Sequence, residues 1–280
     1  MARIDRRALF ASGAAAALLA ATGSSLAASP RRGGTLRLAV PRDGDMLEQV
    51  ARGAIFDTLT EVAPDGVLRG ELATSWHSSS DARAWTFDLR SGVRFHDGAE
   101  LTAQDMVESL DVLGHSGLVV SIQAVSELQV RLELADSNPD LPFHLANPEF
   151  VIAPNGQTDV PLAEAIGTGF YRVERAQEGR HFRAARLADH YKDGQAGWVD
   201  QIEVIVIPDE SVRSEALRDG YVDVAALPNP KGLNKRGGFQ FYPSASEMAL
   251  AARKDVGLPR VVGTRAVLDD GRMAERWWKM

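Results

Sequence analysis

The chain has 280 residues, with 31 Lys and Arg against 38 Asp and Glu, a formal net charge of −7, and no cysteine. An acidic balance argues against a nucleic-acid-binding surface. The lack of thiols removes disulfides, thiolate chemistry, Cys-based metal sites and a lipidated cysteine anchor.

Residues 1–28 read as a targeting segment. Arg3, Arg6 and Arg7 form a basic start, a weakly apolar stretch runs from Ala8 to Ala21, and Ser25-Leu26-Ala27 offers a small-x-small site for a cut after Ala27 or Ala28. Arg6-Arg7 ahead of Ala8-Leu9-Phe10 reads as a twin-arginine signal, so the Tat export machinery is the expected partner and the periplasm the expected destination. The apolar run is too short to span a bilayer comfortably, and no stable membrane anchor is expected. The segment carries three Arg and one Asp, so the remainder holds a net charge of about −9. At about 250 residues that remainder can bury a substantial core in one or two domains.

Thr35 to Val40 reads as a first strand, and Ala51 to Thr60 as a helix-like or irregular apolar segment before the Pro64-Asp65-Gly66 turn. Trp85, Phe87 and Leu89 alternate with polar residues; Ser91-Gly92 breaks the run, and Val93 and Phe95 resume it, which predicts a hairpin. Asp97-Gly98 supplies another turn. Thr102 then caps a helix, with Asp105 completing a capping box before Met106, Val107, Leu110 and Leu113. Leu128, Val130, Leu132 and Leu134 predict a strand paired with one near Ile122 to Val125, and Asp136 to Pro161 reads as loops around short elements.

Ile202 to Ile207, Ser211 to Asp219 and Val222 to Leu227 form a strand–helix–strand unit, which implies a parallel, right-handed crossover. Pro228 to Gly238 reads as a loop. The tail offers strand-like Val261-Val262 and Arg265 to Leu268, an Asp270-Gly271 turn and Trp277-Trp278. Mixed α/β is the resulting class, with no internal repeat.

The order of residues carries a resemblance as well. Leu72-Ala73-x-Ser75-Trp76, Thr86-Phe87-x-Leu89-Arg90-x-Gly92-Val93-x-Phe95-His96-Asp97-Gly98 and Leu101-Thr102-Ala103-x-Asp105 resemble the signature of the family 5 extracellular solute-binding proteins, the peptide- and nickel-type receptors of ABC importers. Gly167-Thr168-Gly169-Phe170-Tyr171 is similar to the family's Gly-Thr-Gly-Pro-Tyr, with Phe170 in place of Pro. Val199 to Asp209 and Ala216 to Ala225 follow the next strand–helix–strand, and Gly33-Gly34-Thr35-Leu36 resembles the usual mature start. Ala82 departs from the pattern, since the family has a turn glycine after Asp81, and the substitution is expected to strain the turn.

The resemblance implies a periplasmic-binding-protein-like first lobe within residues 29–280. Its main sheet would draw on about 33–54 and 162–280, with a packed α+β subdomain at about 55–161. It further implies a non-catalytic, exported substrate-binding component for ABC-type uptake of peptides or similar small solutes, with an ABC transporter permease as partner and no cofactor. The family is usually far longer, and a second lobe is not expected between Phe239 and Met280. A second reading is a periplasmic interaction or assembly protein on a degenerate solute-binding scaffold that no longer transports. Ligand contacts are expected near the end of the first strand, at Asp43, Asp45 and Met46, and around Thr168, Gly169 and Phe170. The reasons are the resemblance and the tendency of α/β sheets to place sites beyond the carboxyl ends of their strands.

The six histidines show no local ligand spacing, so no metal site is expected. Gly114-His115-Ser116-Gly117 is one position short of a nucleophile elbow and reads as a turn. Gly167-x-Gly169 lacks the third glycine of a dinucleotide fingerprint. Trp76, Trp85 and Trp198 read as core. Trp277-Trp278 reads as a plug over the surface a second lobe would cover, or else as a partner contact.

Replacing Arg6 and Arg7 together by Lys is expected to abolish export while leaving folded protein in the cytoplasm; undiminished periplasmic protein on fractionation would remove the twin-arginine assignment.

Overall fold

The computed structural model describes residues 29–115, 117–228, 233, 238–243, 249–259 and 271–280. The leader with Arg6, Arg7, Ala27 and Ala28 lies outside these residues, as do Ser116 and the strand-like run from 261 to 268.

In chain order the strands are β1 (Thr35–Val40), β2 (Thr60–Val62), β3 (Leu68–Gly70), β4 (Ala73–Ser78), β5 (Ala84–Leu89), β6 (Val119–Ser126), β7 (Gln129–Leu134) and β8 (Tyr171–Gln177). They continue with β9 (His181–Arg186), β10 (Gln201–Val206), β11 (Val224–Leu227), β12 (Phe239–Pro243), β13 (Ala249–Arg253), β14 (Val256–Gly257) and β15 (Trp278–Lys279). The helices are α1 (Met46–Ile55), α2 (Ala103–Ser109), α3 (Val112–His115), α4 (Leu141–His144), α5 (Glu210–Arg218) and α6 (Met273–Arg276). No described helix is long and apolar enough to cross a membrane.

β1 lies at the centre of a seven-stranded mixed sheet of order β12-β13-β11-β1-β10-β9-β8. It pairs in parallel with β10, Leu38 opposite Val204, and with β11, Leu38 opposite Val224. The β10–α5–β11 unit therefore crosses over β1, as the strand–helix–strand pattern predicts. The side chains sort by the period-2 rule. Leu36, Leu38, Val40, Ile202, Val204 and Val224 enter the main core with α1. Ala39, Ala225 and Leu227 face the other way, against Leu217 of α5. Burial on both faces is what parallel strands require.

Helix α1 forms because Met46, Leu47, Val50, Ala51, Ala54 and Ile55 fall on one buried stripe. It starts earlier than the apolar run from Ala51 implies. Asp209 caps α5 by accepting from the backbone N–H groups of Ser211 and Val212.

A four-stranded antiparallel sheet of order β4-β5-β7-β6 lies within residues 73–134 and covers a second core. β6 and β7 form the expected pair, with Ile122 opposite Leu132. The expected hairpin between Trp85–Leu89 and Val93–Phe95 is corrected. Both edges of β5 are taken, by β4 and by β7, so Val93–Phe95 cannot pair with it. Instead the segment turns back on a single bridge between Arg94 and Glu100. Val93 and Phe95 still enter the core that holds Phe87, because alternation sets burial even where no ladder forms. The capping box is present: Thr102 Oγ1 accepts from Asp105 N, and Asp105 Oδ2 accepts from Thr102 N at 2.9 Å.

The β4–β5 turn carries the strain that Ala82 implies. Its φ is +51°, in the left-handed region that costs an alanine about 1–2 kcal/mol. Surrounding bonds hold it there. Asp81 Oδ1 accepts from Ser79 Oγ and Arg83 N, and the Ala82 carbonyl accepts from Trp85 Nε1 and Asn138 N. Ala82→Gly is expected to stabilise the protein by about 1 kcal/mol, read as a higher urea midpoint at unchanged slope. An unchanged midpoint would mean that the turn relaxes around alanine.

Candidate functional site

The six expected contact residues divide between the two ends of α1. Asp43 and Asp45 are exposed just past β1, and Met46 opens the helix with its side chain largely buried. Thr168, Gly169 and Phe170 lie at the other end, about 15 Å away along a ten-residue helix. The structure does not bring the two groups together.

Glycine explains the second group. A Cβ on Gly167 would lie 2.2 Å from the Ile55 carbonyl oxygen, and one on Gly169 would lie 2.6 Å from that of Ala54. Only glycine lets this segment rest directly on the end of α1, where Gly169 N donates to Ile55 O at 2.8 Å. Phe170, standing where the family has proline, is fully buried and stacks on His190 at 3.7 Å between ring centroids. His96 Nε2 donates to the Gly169 carbonyl and His190 Nε2 to that of Thr168, each at 2.8 Å. Burial holds both imidazoles down to about 4, so they are neutral at physiological pH.

Thr168 reaches into a buried network of charge. Its hydroxyl donates to Asp57 Oδ2 at 2.9 Å, and Tyr191 Oη donates to the same oxygen at 2.8 Å. Beside Asp57 lies Glu71, with no exposed surface. Arg272 grips Glu71 in bidentate fashion, through Nη1 at 2.5 Å and Nη2 at 2.8 Å, and Lys192 Nζ donates to the first of these oxygens. Thr58 N donates to the second at 2.9 Å. Lys192 also lies 3.5 Å from Glu61 and from Glu275, and 4.0 Å from Asp57. Arg276 donates to the Val62 carbonyl and lies 3.9 Å from Glu61.

Four carboxylates thus face three cations, and the charges settle unequally. Burial would raise Glu71, but Arg272 and Lys192 overcome it and hold the carboxyl well below the usual range. Burial raises Asp57 to about 6, with the charge of Glu71 adding to it. Burial likewise raises Glu275 to about 7 against the pull of Lys192 and Arg272. One proton held by Asp57 or Glu275 would neutralise the network. Asp57 Oδ1 and Glu275 Oε1 accept no hydrogen bond among the described residues.

Oxygens of Asp57, Glu71 and Glu275 come within 4.8 Å of one another, the spacing of a metal cage. The donor set does not fit a divalent ion, because Lys192 and Arg272 already take the positions that a metal would occupy on Glu71.

None of this cluster was legible in local spacing. Arg272 and Glu71 are 201 positions apart, and Lys192 and Glu71 are 121 apart. The available signal was Asp57 inside the apolar run Ala54-Ile55-Phe56-Asp57, a charge that burial must pair. Trp277 and Trp278 are both buried. Trp277 packs near Tyr242 in the main core, and Trp278 lies on Gly257 where β14 meets β15.

A cavity of about 520 Å³ opens beside the network. Glu61, Arg90, Tyr191, Lys192, Glu275 and Arg276 are among its walls, with Trp198 and Trp278.

Comparison with known proteins places this architecture. Residues 67–249 match the model of the bacterial extracellular solute-binding proteins, family 5 Middle. The nickel-binding periplasmic protein of Escherichia coli K12 is 28% identical over 193 residues, covering 63% of this chain and 36% of the relative. The HTH-type transcriptional regulator SgrR of Pectobacterium atrosepticum is 33% identical over 162 residues, covering 56% of this chain and 29% of the relative. Among solved structures, the A. tumefaciens R10 binding protein AgaA with agropinic acid superposes with a TM-score of 0.67 at 27% identity, covering 74% of this chain and 47% of that one. The Helicobacter pylori periplasmic binding protein DppA with peptide STSA gives 0.66 at 24% identity, covering 75% and 50%. The chain thus spans about a third of the length of those two curated relatives and about half of those two solved chains.

The buried acids carry a pH signature. Asp57 and Glu275 hold protons more tightly folded than at their ordinary values of 3.8 and 4.5, so their contribution is complete below those values and is lost as pH rises through about 6 and about 7. Glu71 works in reverse, contributing above its ordinary value and losing that only toward its depressed one. His96 and His190, depressed to about 4, add stability as pH rises to 6.5 and oppose the two acids. Glu275→Gln is therefore expected to gain stability relative to the parent protein between pH 5 and pH 8, read as a widening difference in melting temperature. A difference that stays constant would show that Glu275 titrates normally.

Proposed function

Because the chain belongs to family 5 of the bacterial extracellular solute-binding proteins, we propose that it is an exported, non-catalytic substrate-binding component of an ABC-type uptake system for peptides or similar small solutes. In this reading the Tat machinery delivers it to the periplasm through Arg6 and Arg7, and it passes its solute to an ABC transporter permease without a membrane anchor.

The observation that carries the reading is the position of Asp43 and Asp45. Both are exposed immediately beyond β1, on the side where the parallel strands β1, β10 and β11 all end. Open α/β sheets receive ligands in that region. Two carboxylates there suit a cationic group such as the amino terminus of a peptide, and Met46 adds an adjoining apolar side chain. These 280 residues supply one face of an enclosure, so a solute held by them alone is less covered than in a closed cleft.

Calorimetric titration of di- to pentapeptides tests the proposal. Binding is expected in the micromolar to millimolar range, roughly −8 to −4 kcal/mol. Replacing Asp43 and Asp45 together by Asn is expected to weaken it several-fold, and acetylating the peptide amino terminus should cause a similar loss. Acetylated peptides that bind as well as free ones would remove the role given to the two carboxylates. A folded protein that binds no peptide would overturn the solute assignment.

A further inference from the structure

We propose that the cavity beside the ion network is a second ligand site, separate from the ends of the parallel strands, and that it takes a small organic anion: a carboxylate or similar acid group on a flat, apolar body. The cavity holds about 520 Å³, within the range of about 300–1,000 Å³ typical of small-molecule sites. It also lies at the other end of β1. Trp198, on its wall, accepts from Gly33 N just ahead of that strand, whereas Asp43 and Asp45 follow it. Six strand residues separate the two places, about 20 Å.

Arg90 supplies the acid-binding group. Its Nε donates to the Glu71 carbonyl at 3.1 Å, and its guanidinium sits 5.1 Å from the centre of the Tyr191 ring, so its orientation is fixed. The other cations of the wall each face a carboxylate: Arg69 faces Asp65, Lys192 faces Glu71, and Arg276 faces Glu61. Among the described residues Arg90 has no carboxylate within ion-pair distance. A half-buried guanidinium held in place without a counter-charge is preorganised for bidentate recognition of an acid group.

The wall also carries the carboxyl groups of Glu61 and Glu275, so the guanidinium of Arg90 must outweigh them for an anion to bind. Tyr191, Trp198 and Leu258 offer apolar surface for the body of the ligand.

Benzoate and its neutral isostere benzamide are the probes, titrated by calorimetry and by quenching of tryptophan fluorescence. Benzoate is expected to bind at least ten-fold tighter than benzamide, and Arg90→Gln is expected to abolish that preference. Equal affinity for the two probes, or an unchanged benzoate affinity in a folded Arg90→Gln variant, would overturn the proposal. Ala196→Leu fills the cavity and leaves every charge in place. It should weaken both probes without lowering the melting temperature, which keeps the test decisive if Arg90→Gln does not fold. Full benzoate binding by Ala196→Leu would place the probe elsewhere and reject the site. Peptide titration of the same variants reads the strand-end region independently, so the two assignments stand or fall separately.

Discussion

A carboxylate with no exposed surface cannot remain ionised in a protein interior unless cations and hydrogen-bond donors surround it, and Glu71 is such a group. Arg272 approaches it with two parallel hydrogen bonds, Lys192 with an ammonium, and Thr58 with a backbone N–H. These partners come from separate stretches of the chain, and each is itself tied to others. The result is a joint between the segment after α1, the β2–β3 hairpin, the loop after β9 and the last described residues. Removing one partner from a buried ion pair of this kind generally costs about 3–5 kcal/mol, because it strands the other charge.

Other features take their reasons from this joint. Gly167 and Gly169 let the intervening threonine reach Asp57, which turns a motif expected to face solute into a support for the charge network. Neutral His96 and His190 fasten the same segment by its carbonyls. Burial raises the proton affinities of Glu275 and Asp57, with the charge of Glu71 adding to it, while Arg272 and Lys192 lower that of Glu71.

What the sequence disclosed follows the range of the interactions involved. β1, β10, α5 and β11 were legible because strand alternation and a short crossover are local patterns, and the Thr102–Asp105 box spans only three residues. Ala82 was legible as strain because the family it resembles has a turn glycine at that position. Val93–Phe95 was misread as a strand for a non-local reason: whether an alternating segment pairs depends on which edges are already taken, and β4 and β7 had taken both. The ion network and the cavity were invisible for the same reason at longer range. Arg90 sits inside the family-like motif, yet only the fold shows it lining a cavity without a carboxylate partner among the described residues, while Arg272, Arg276 and Lys192 are engaged.

The late arrival of Arg272 also bears on how the protein is made. Synthesis proceeds from the amino terminus, so Asp57, Glu71 and Lys192 emerge from the ribosome well before Arg272 and Glu275. Until then Glu71 lacks its bidentate partner, and closing the joint requires one of the longest-range contacts in the chain. The four-stranded sheet draws only on residues 73–134 and can form during translation before Arg272 is made. The pairing of Glu71 with Arg272 therefore waits on a residue made 201 positions later.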